Sequence, residues 1–439
     1  MLKILAKRRT MDLSDLSPAD QAQLIAARTA ALLPSVEALT NRFATASERQ
    51  LVVKFGIDPT AADVHLGHTV PMMLAGRLQR MGHRVVFIVG DITAKIGDPT
   101  GRVADRPPLT DDDIRANMKS YRDQVTPFFD FDHAEFRFNS EWLTQFKLPQ
   151  LIGVLERLPL SASLQREDFR NRLDEGSGLT MAELMYSVVM ALDSVEIAAD
   201  IEIGGLDQLL NMQMCRRVMD NHGQTPEIIL ATGLIEGTDA AGTKMSKSKG
   251  NYIGLAFDPK NVFGKLMSIH DRLMPDYLAA LTELLDPEIE FLRECMQDRR
   301  IHPMGVKVLL ASDITGAIYG LEVAEANRTG FAAQFSRQRF SDSPGLHVVS
   351  AADRPHATVA ELLVGIAGIA SVGHVRRVAE GGGLRLVVEC GLDQQESVVL
   401  DATEVKTRVV DLAHSYPRLV DHAGARRFLK CGRTIVELR

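Results

Sequence analysis

The sequence predicts an α/β protein: a parallel-sheet domain with a helical insertion, then an all-α domain and a small α+β tail. Three observations carry that prediction. Buried-type apolar runs at Leu51–Ile57 and Arg84–Gly90 flank a helical stretch at 69–82, and a strand–helix–strand unit of about forty residues implies parallel pairing. The alternation returns at Ile201–Ile203, a helix from Gly205 to His222, and Pro226–Thr232. Residues 258–335 then read as helix without strand signals.

Taken in order, residues 1–45 form an N-terminal helical segment, with 12–50 reading as two helices broken at Pro34. The first ten residues carry charge but no apolar core of secretory length, so they make no signal peptide, and Met11 is an alternative start. The parallel-sheet domain spans 46–250, interrupted by a mostly helical insertion at about 105–190. A helical domain at 251–340 and a Ser-, Asp-, Pro- and Gly-containing linker at 341–356 follow. The tail, 357–439, has a helix pair, a Gly-Gly-Gly turn at 381–383 and short β-like runs.

Composition narrows the function. Hydrophobic residues make up 45% and charged residues 24%, ordinary globular values that exclude disordered and fibrous classes. No apolar run reaches the ~18–20 residues of a membrane helix. A net charge of −7 means that any nucleic-acid contact has to come from a local patch. The four cysteines form no CxxC pair, which argues for a reduced compartment and against structural zinc.

Two clusters carry chemistry. Asp58-Pro-Thr60-Ala-Ala-Asp-Val-His65-Leu-Gly67-His68 lies between a strand and a helix, where the helix amino end favours phosphate. His65 and His68 share one face of the first turn and can donate to phosphate oxygens, while Gly67 lets a nucleotide approach the backbone. The same pair also reads as an ordinary helix cap; as metal ligands they lack a third partner nearby. Lys244-Met-Ser246-Lys247-Ser248-Lys249-Gly250-Asn251 places three lysines within six residues on a glycine-bounded loop. Such an arm can close over a triphosphate; alone, it reads as a solvated turn.

Together, His-Leu-Gly-His after the first strand and Lys-Met-Ser-Lys-Ser after the last resemble the paired signature of class I aminoacyl-tRNA synthetases. Lys54-Phe-Gly-Ile-Asp-Pro-Thr60, Val89–Arg102, Asn139-Ser-Glu-Trp142, Gly204-Gly-Leu-Asp-Gln208 and Lys244–Leu255 follow the order found in the bacterial tyrosyl members, in the branch with Lys at position 54. The resemblance runs over about 12–335, and Val359–Gly382 resembles the alpha-L RNA-binding module of that branch.

The resemblance implies a Rossmann-like catalytic domain, a cytoplasmic homodimer formed through the insertion, and tyrosine tRNA as partner. Tyrosine and ATP with Mg²⁺ are the implied small molecules; DNA and membrane are not implied. Thr60, His65, His68, Arg102, Lys244 and Lys247 take catalytic roles on the phosphates. Gly56, Asp58, Gly67, Gly205, Asp207, Met245 and Ser246 bind ATP. Lys54, Asp98, Tyr186, Met190, Asp193 and Gln208 line the amino-acid site, with Asp193 accepting from the phenol hydroxyl. Arg376, Arg377, Arg426 and Arg427 are candidate RNA contacts, although basic residues barely outnumber acidic ones in the tail.

The chain departs from that branch at Met190, Leu192 and Leu206, three polar-to-apolar changes expected to cluster around the amino-acid pocket. Met190 replaces a glutamine that contacts the ammonium, and a thioether cannot do the same work. Two alternatives therefore stand beside a tyrosine–tRNA ligase: a paralogue adenylating a tyrosine-like substrate in a biosynthetic pathway, and a non-catalytic RNA-binding paralogue.

Overall fold

In a computed structural model of the chain, residues 1–59, 64–99, 110–164, 166–176, 178–247, 249–298, 300–331, 346–350, 353–390, 394–416, 426–432 and 434–439 are described. The chain divides into two compact units, Met1–Arg328 and Thr329–Arg439.

The first unit opens with α1 (Leu2–Arg9), α2 (Pro18–Ala26), β1 (Ala31–Leu33) and α3 (Val36–Ala44). Then come β2 (Val52–Ile57), α4 (Leu66–Arg80), β3 (Arg84–Val89) and α5 (Thr93–Ile96). The insertion contributes α6 (Asp111–Val125), β4 (Glu135–Phe138), α7 (Ser140–Leu143), α8 (Leu148–Leu155), α9 (Leu160–Ser163) and α10 (Glu167–Asp174), and leads into α11 (Met181–Glu196). The sheet is completed by β5 (Ile201–Gly205), α12 (Leu209–Asn221) and β6 (Ile228–Thr232). Helices α13 (Pro259–Ser268), α14 (Met274–Leu281), α15 (Asp286–Gln297), α16 (Pro303–Tyr319) and α17 (Leu321–Phe331) follow.

The strands lie in the order β1-β6-β5-β2-β3-β4, all parallel except β1, which pairs antiparallel with β6. The chain moves outward from β2 to β3 on one side and returns through β5 on the other. That reversal is where doubly wound sheets open a crevice at their carboxyl ends. Strands β2, β3, β5 and β6 are buried along most of their length, as expected of a sheet covered on both faces.

Two strands differ from the sequence reading. β1 falls inside the stretch read as helix, because a three-residue edge strand is too short to show period 2. β4 extends the sheet from within the insertion read as helical, its Phe136 stacked on Phe87 at 5.0 Å. The residues before Met11 form α1: Leu5 is buried, Arg8 pairs with Glu288 at 2.6 Å and Arg9 with Asp313 at 2.6 Å.

The second unit has β7 (His347–Val349), α18 (Val359–Gly365), α19 (Val372–Glu380), β8 (Leu384–Cys390), β9 (Gln394–Val399), α20 (Val409–Ser415), β10 (Arg426–Cys431) and β11 (Thr434–Leu438). Its sheet runs β7-β11-β10-β8-β9 over a core that includes Leu362, Leu363, Val375, Leu386, Leu429 and Val436.

Candidate active site

A cavity of about 540 Å³ opens at the carboxyl ends of β2 and β5. Among its lining residues are His65, His68, Asp207, Lys244 and Lys247 from the two clusters, and Asp98, Tyr186, Met190, Asp193 and Gln208 from the amino-acid set. Lys54, Gly56, Asp58, Gly67, Gly205, Met245 and Ser246 line it too. Thr60 and Arg102 lie outside the described residues.

His65 is the N-cap of α4 and His68 its third residue, and the two close a reciprocal cap. His65 Nδ1 accepts from the Gly67 amide at 3.2 Å, and His68 Nδ1 accepts from the His65 amide at 3.2 Å. The cap reading and the catalytic reading are thus the same geometry. Burial pulls both rings down, and neighbouring positive groups, Lys244 and Lys247 among them, add to it, to about 3 for His65 and about 4 for His68. At neutral pH both are uncharged. With Nδ1 accepting, the proton of each ring sits on Nε2, which leaves an N–H donor on each cavity-lining ring. A Cβ on residue 67 would stand 3.0 Å from the His65 ring, so Gly67 makes room for that imidazole.

Across from the histidines, the Lys244 ammonium lies 2.7 Å from Asp207 Oδ2. Asn251, buried and missed as a site residue in the sequence, accepts from the Ser246 amide at 2.8 Å and donates to Asp239, tying down the lysine loop. Only its place beside that loop signalled it.

At the other end, Asp58 accepts from Thr93 Oγ1 at 2.6 Å and from the Tyr186 hydroxyl at 2.8 Å. Burial raises Asp58 to about 7 against the lowering effect of those two bonds. Gln208 donates to Asp98 at 2.7 Å and accepts from Asn211 at 2.8 Å. Asp193, buried on α11, accepts from Trp142 Nε1 at 2.9 Å and from Asn139 at 3.4 Å. Burial pushes it up to about 7, while Lys54 and the two donors hold it back. Thr93, Asn139 and Trp142 had no assigned role; their signal was the conjunction of polar groups bracketing two apolar strands.

Lys54 behaves differently from its neighbours. Its side chain has no exposed surface, and its ammonium already meets Glu202 at 2.6 Å, Ser194 Oγ at 2.8 Å and the Met190 carbonyl at 3.2 Å. Three donors have three protein acceptors.

Of the three apolar replacements, only Met190 lines the cavity. Leu192 packs instead with Val154, Val188, Met214 and Val218, one helical position around from Ala191, and Leu206 is 41% exposed. The three replacements do not cluster around the pocket as the sequence suggests. α-Helical spacing explains it: Met190 and Asp193, three apart, share a face that Leu192 leaves.

In the second unit, Arg376 and Arg377 are exposed on α19, and Arg376 reaches Glu380 at 3.4 Å. Arg426 and Arg427 lie on β10, where Arg426 grips Glu437 through two bonds of 2.8 and 2.9 Å.

The histidine–lysine set and the set around Asp58, Tyr186 and Asp193 thus meet in one crevice. Residues 46–336 match the family model for tRNA synthetases class I (W and Y). The chain belongs to this family. Among relatives of this synthetase family, the tyrosine–tRNA ligase of Thermotoga maritima is 36% identical over 369 residues, covering 84% of this chain and 90% of its own. That of Aquifex aeolicus is 37% identical, covering 90% and 97%. The solved C-terminally truncated mitochondrial tyrosyl-tRNA synthetase of Aspergillus nidulans superposes with a TM-score of 0.59 at 19% identity, over 76% of this chain and 100% of its own. The Archaeoglobus fulgidus tyrosyl-tRNA synthetase, solved with L-tyrosine, gives 0.57 at 20%, over 71% and 100%. At those identities the structures establish the shared Rossmann-like fold. Among the described residues no helix is long and apolar enough to cross a membrane.

Proposed function

We infer that the chain is a tyrosine–tRNA ligase, which activates tyrosine with ATP and passes it to the 3′ end of tyrosine tRNA. One observation carries this reading: the His65–His68 pair and the Lys244–Asp207 pair border the same cavity whose far end holds Tyr186 and Asp193. The tyrosine carboxylate attacks the α-phosphorus of ATP, the bond to the β-phosphate oxygen breaks, and pyrophosphate leaves. No protein nucleophile is required, so catalysis is positioning and electrostatics.

In this reading His65 and His68 donate from Nε2 to phosphate oxygens as charge builds, with Lys244 and Lys247, and with Thr60 and Arg102 as carried over from the resemblance. Asp207 accepts from the ribose, its carboxylate having acceptor sites beyond the one that Lys244 occupies. Gly56, Gly67, Gly205, Met245 and Ser246 shape the nucleotide end. Asp98 and Tyr186 hold the ammonium, Gln208 the carboxylate, and Asp193 accepts from the phenol. Mg²⁺ enters with ATP as part of the substrate, held mainly by the phosphates.

Residues 46–250 act as catalytic domain and 251–340 as the anticodon-side domain. Beyond the 341–356 linker, 357–439 is the RNA-binding module. The enzyme works as a cytoplasmic homodimer. Met190 in the cavity wall favours one second reading, a paralogue adenylating a tyrosine-like amino acid. Amino-acid-dependent ATP–pyrophosphate exchange across a panel of amino acids, followed by transfer to tyrosine tRNA, tests both. Exchange with tyrosine and charging of the tRNA is the expected result. Exchange confined to another amino acid supports the paralogue, and none at all leaves only an RNA-binding role.

A further inference from the structure

At the amino-acid end of the cavity, two lining residues, Lys54 and Glu202, belong to a buried cluster of polar and ionisable groups. Lys54 and Glu202 are direct partners across β2 and β5, both at most 1% exposed, with Nζ 2.6 Å from Oε1. The other contacts of the ammonium, Ser194 Oγ and the Met190 carbonyl, belong to α11, the helix that carries Tyr186 and Asp193. Ser194 in turn donates to Glu227 Oε1 at 3.2 Å.

Glu202, Cys215 and Glu227 bring ligand atoms within 4.8 Å of one another, a spacing suited to a cation. The Lys54 ammonium, also 3.7 Å from Cys215 Sγ, is already that cation. Burial holds Cys215 as a thiol; burial and the Glu202 carboxylate together raise Glu227 well above the usual range, so Glu227 carries a proton. Burial alone would discharge Lys54, but the negative charge around it, carried by the Glu202 carboxylate 2.6 Å away, outweighs that and keeps it charged.

We propose that Lys54 and Glu202 are positioning residues: an ion pair in the cavity wall that seats α11 and sets the charge on Asp193, and thereby how the cavity reads the hydroxyl of its amino acid. The choice of a phenol as the hydroxyl rests on the tyrosine reading above; the control of Asp193 does not. Each element around Asp193 contributes a group: Lys54 from β2, Glu202 from β5, Asp58 just beyond β2, Tyr186 on α11 itself, and the neutral donors Asn139 and Trp142 at α7. Of these, Lys54 favours the ionised form, whereas Glu202 and Asp58 oppose it. A merely structural pair would alter stability and leave the titration of Asp193 where it is.

Trp142, the one tryptophan of the chain, donates to Asp193 and so reports its protonation directly. The test titrates Trp142 fluorescence with pH in the full chain for wild type, E202Q, K54M and the neutral-pair variant K54M/E202Q. Tyrosine and ATP KM are measured by pyrophosphate exchange alongside. Losing the carboxylate moves the midpoint down, and losing the ammonium moves it up, each by on the order of one pH unit. The acid limb of tyrosine KM follows the midpoint, while ATP KM stays within about twofold.

K54M strands a buried carboxylate; if it does not fold, the double variant, expected between E202Q and K54M, replaces it in the series. One midpoint shared by every folded variant overturns the proposal, as does a shift in the same direction for E202Q and K54M. Wild type with tyrosine-dependent exchange but immobile midpoints keeps the enzyme reading and defeats this one. Opposed shifts without any exchange support the control of Asp193 and defeat the tyrosine reading.

Discussion

Gly90→Ala probes the amino-acid end through a single methyl group. Gly90 sits where β3 turns into α5, and a Cβ built there stands 2.1 Å from Asp58 Oδ1 and 2.1 Å from Thr93 Oγ1. Ordinary contacts need roughly 3.4 Å or more, so the carboxylate and the hydroxyl have to separate by about an ångström or the backbone has to give. Either movement breaks the 2.6 Å Thr93–Asp58 bond and draws Asp58 away from the Tyr186 hydroxyl. Two buried hydrogen bonds at about 1 kcal/mol each, plus overpacking strain of about 1–3 kcal/mol, give a loss of about 3–5 kcal/mol. Urea unfolding followed by Trp142 fluorescence measures it. Because Tyr186 loses its acceptor, amino-acid KM should rise about tenfold, the equivalent of ~1.4 kcal/mol, with ATP KM little changed. A variant within about 0.5 kcal/mol of wild type and with unaltered KM would refute the claim that Asp58, Thr93 and Tyr186 form one tightly packed unit.

Three more outcomes are expected. His68→Ala removes an Nε2 donor and uncaps the His65 amide, so kcat for pyrophosphate exchange should fall about 10²-fold, with a stability loss of about 1 kcal/mol in the same unfolding assay. Met190→Gln returns an amide to the cavity wall and should lower tyrosine KM; an equal or higher KM in steady-state exchange would show that the thioether position never meets the ammonium.

Stability should also carry a pH signature. Asp58 and Asp193, raised to about 7, favour the fold in their protonated form, and that stability is lost as pH climbs from about 4 through 7. His65 and His68, lowered to about 3 and 4, contribute above pH ~6.5 and lose their contribution as pH falls toward 3. The two pairs offset each other below pH ~6.5, leaving the carboxylates dominant just above it. Asp193→Asn, a permanent mimic of the neutral acid, should therefore gain stability relative to wild type between pH 5 and pH 8 in urea titrations. A constant difference across that range would contradict the burial of a charge at Asp193.

Much of this architecture was legible because its signals are local. Continuous apolar runs named β2, β3 and β6, and the His65–His68 spacing fixed one face of a helix start. β1 and β4 escaped because edge strands of three and four residues are defined by their partners rather than by a pattern of their own. The lysine loop showed its charge in the sequence, but not that Asp207 would meet Lys244 or that Asn251 would anchor Ser246. The first joins residues 37 apart in the chain, and the second depends on how the loop folds back on itself. Leu192 and Leu206 illustrate the opposite error: proximity in sequence to Asp193 and Asp207 suggested a shared pocket, and helix rotation and solvent exposure separated them.

The alignment of Lys54 with Glu202 also bears on how the sheet assembles. Successive residues of a strand face opposite sides, so sliding β2 past β5 by a single position would send the ammonium and the carboxylate to different faces, each marooned in hydrocarbon. Neighbouring strands rich in Val, Ile and Phe would tolerate such a slip with little complaint. The charge pair makes the wrong alignment forbiddingly expensive, and so acts as a proofreader of strand order before any substrate arrives.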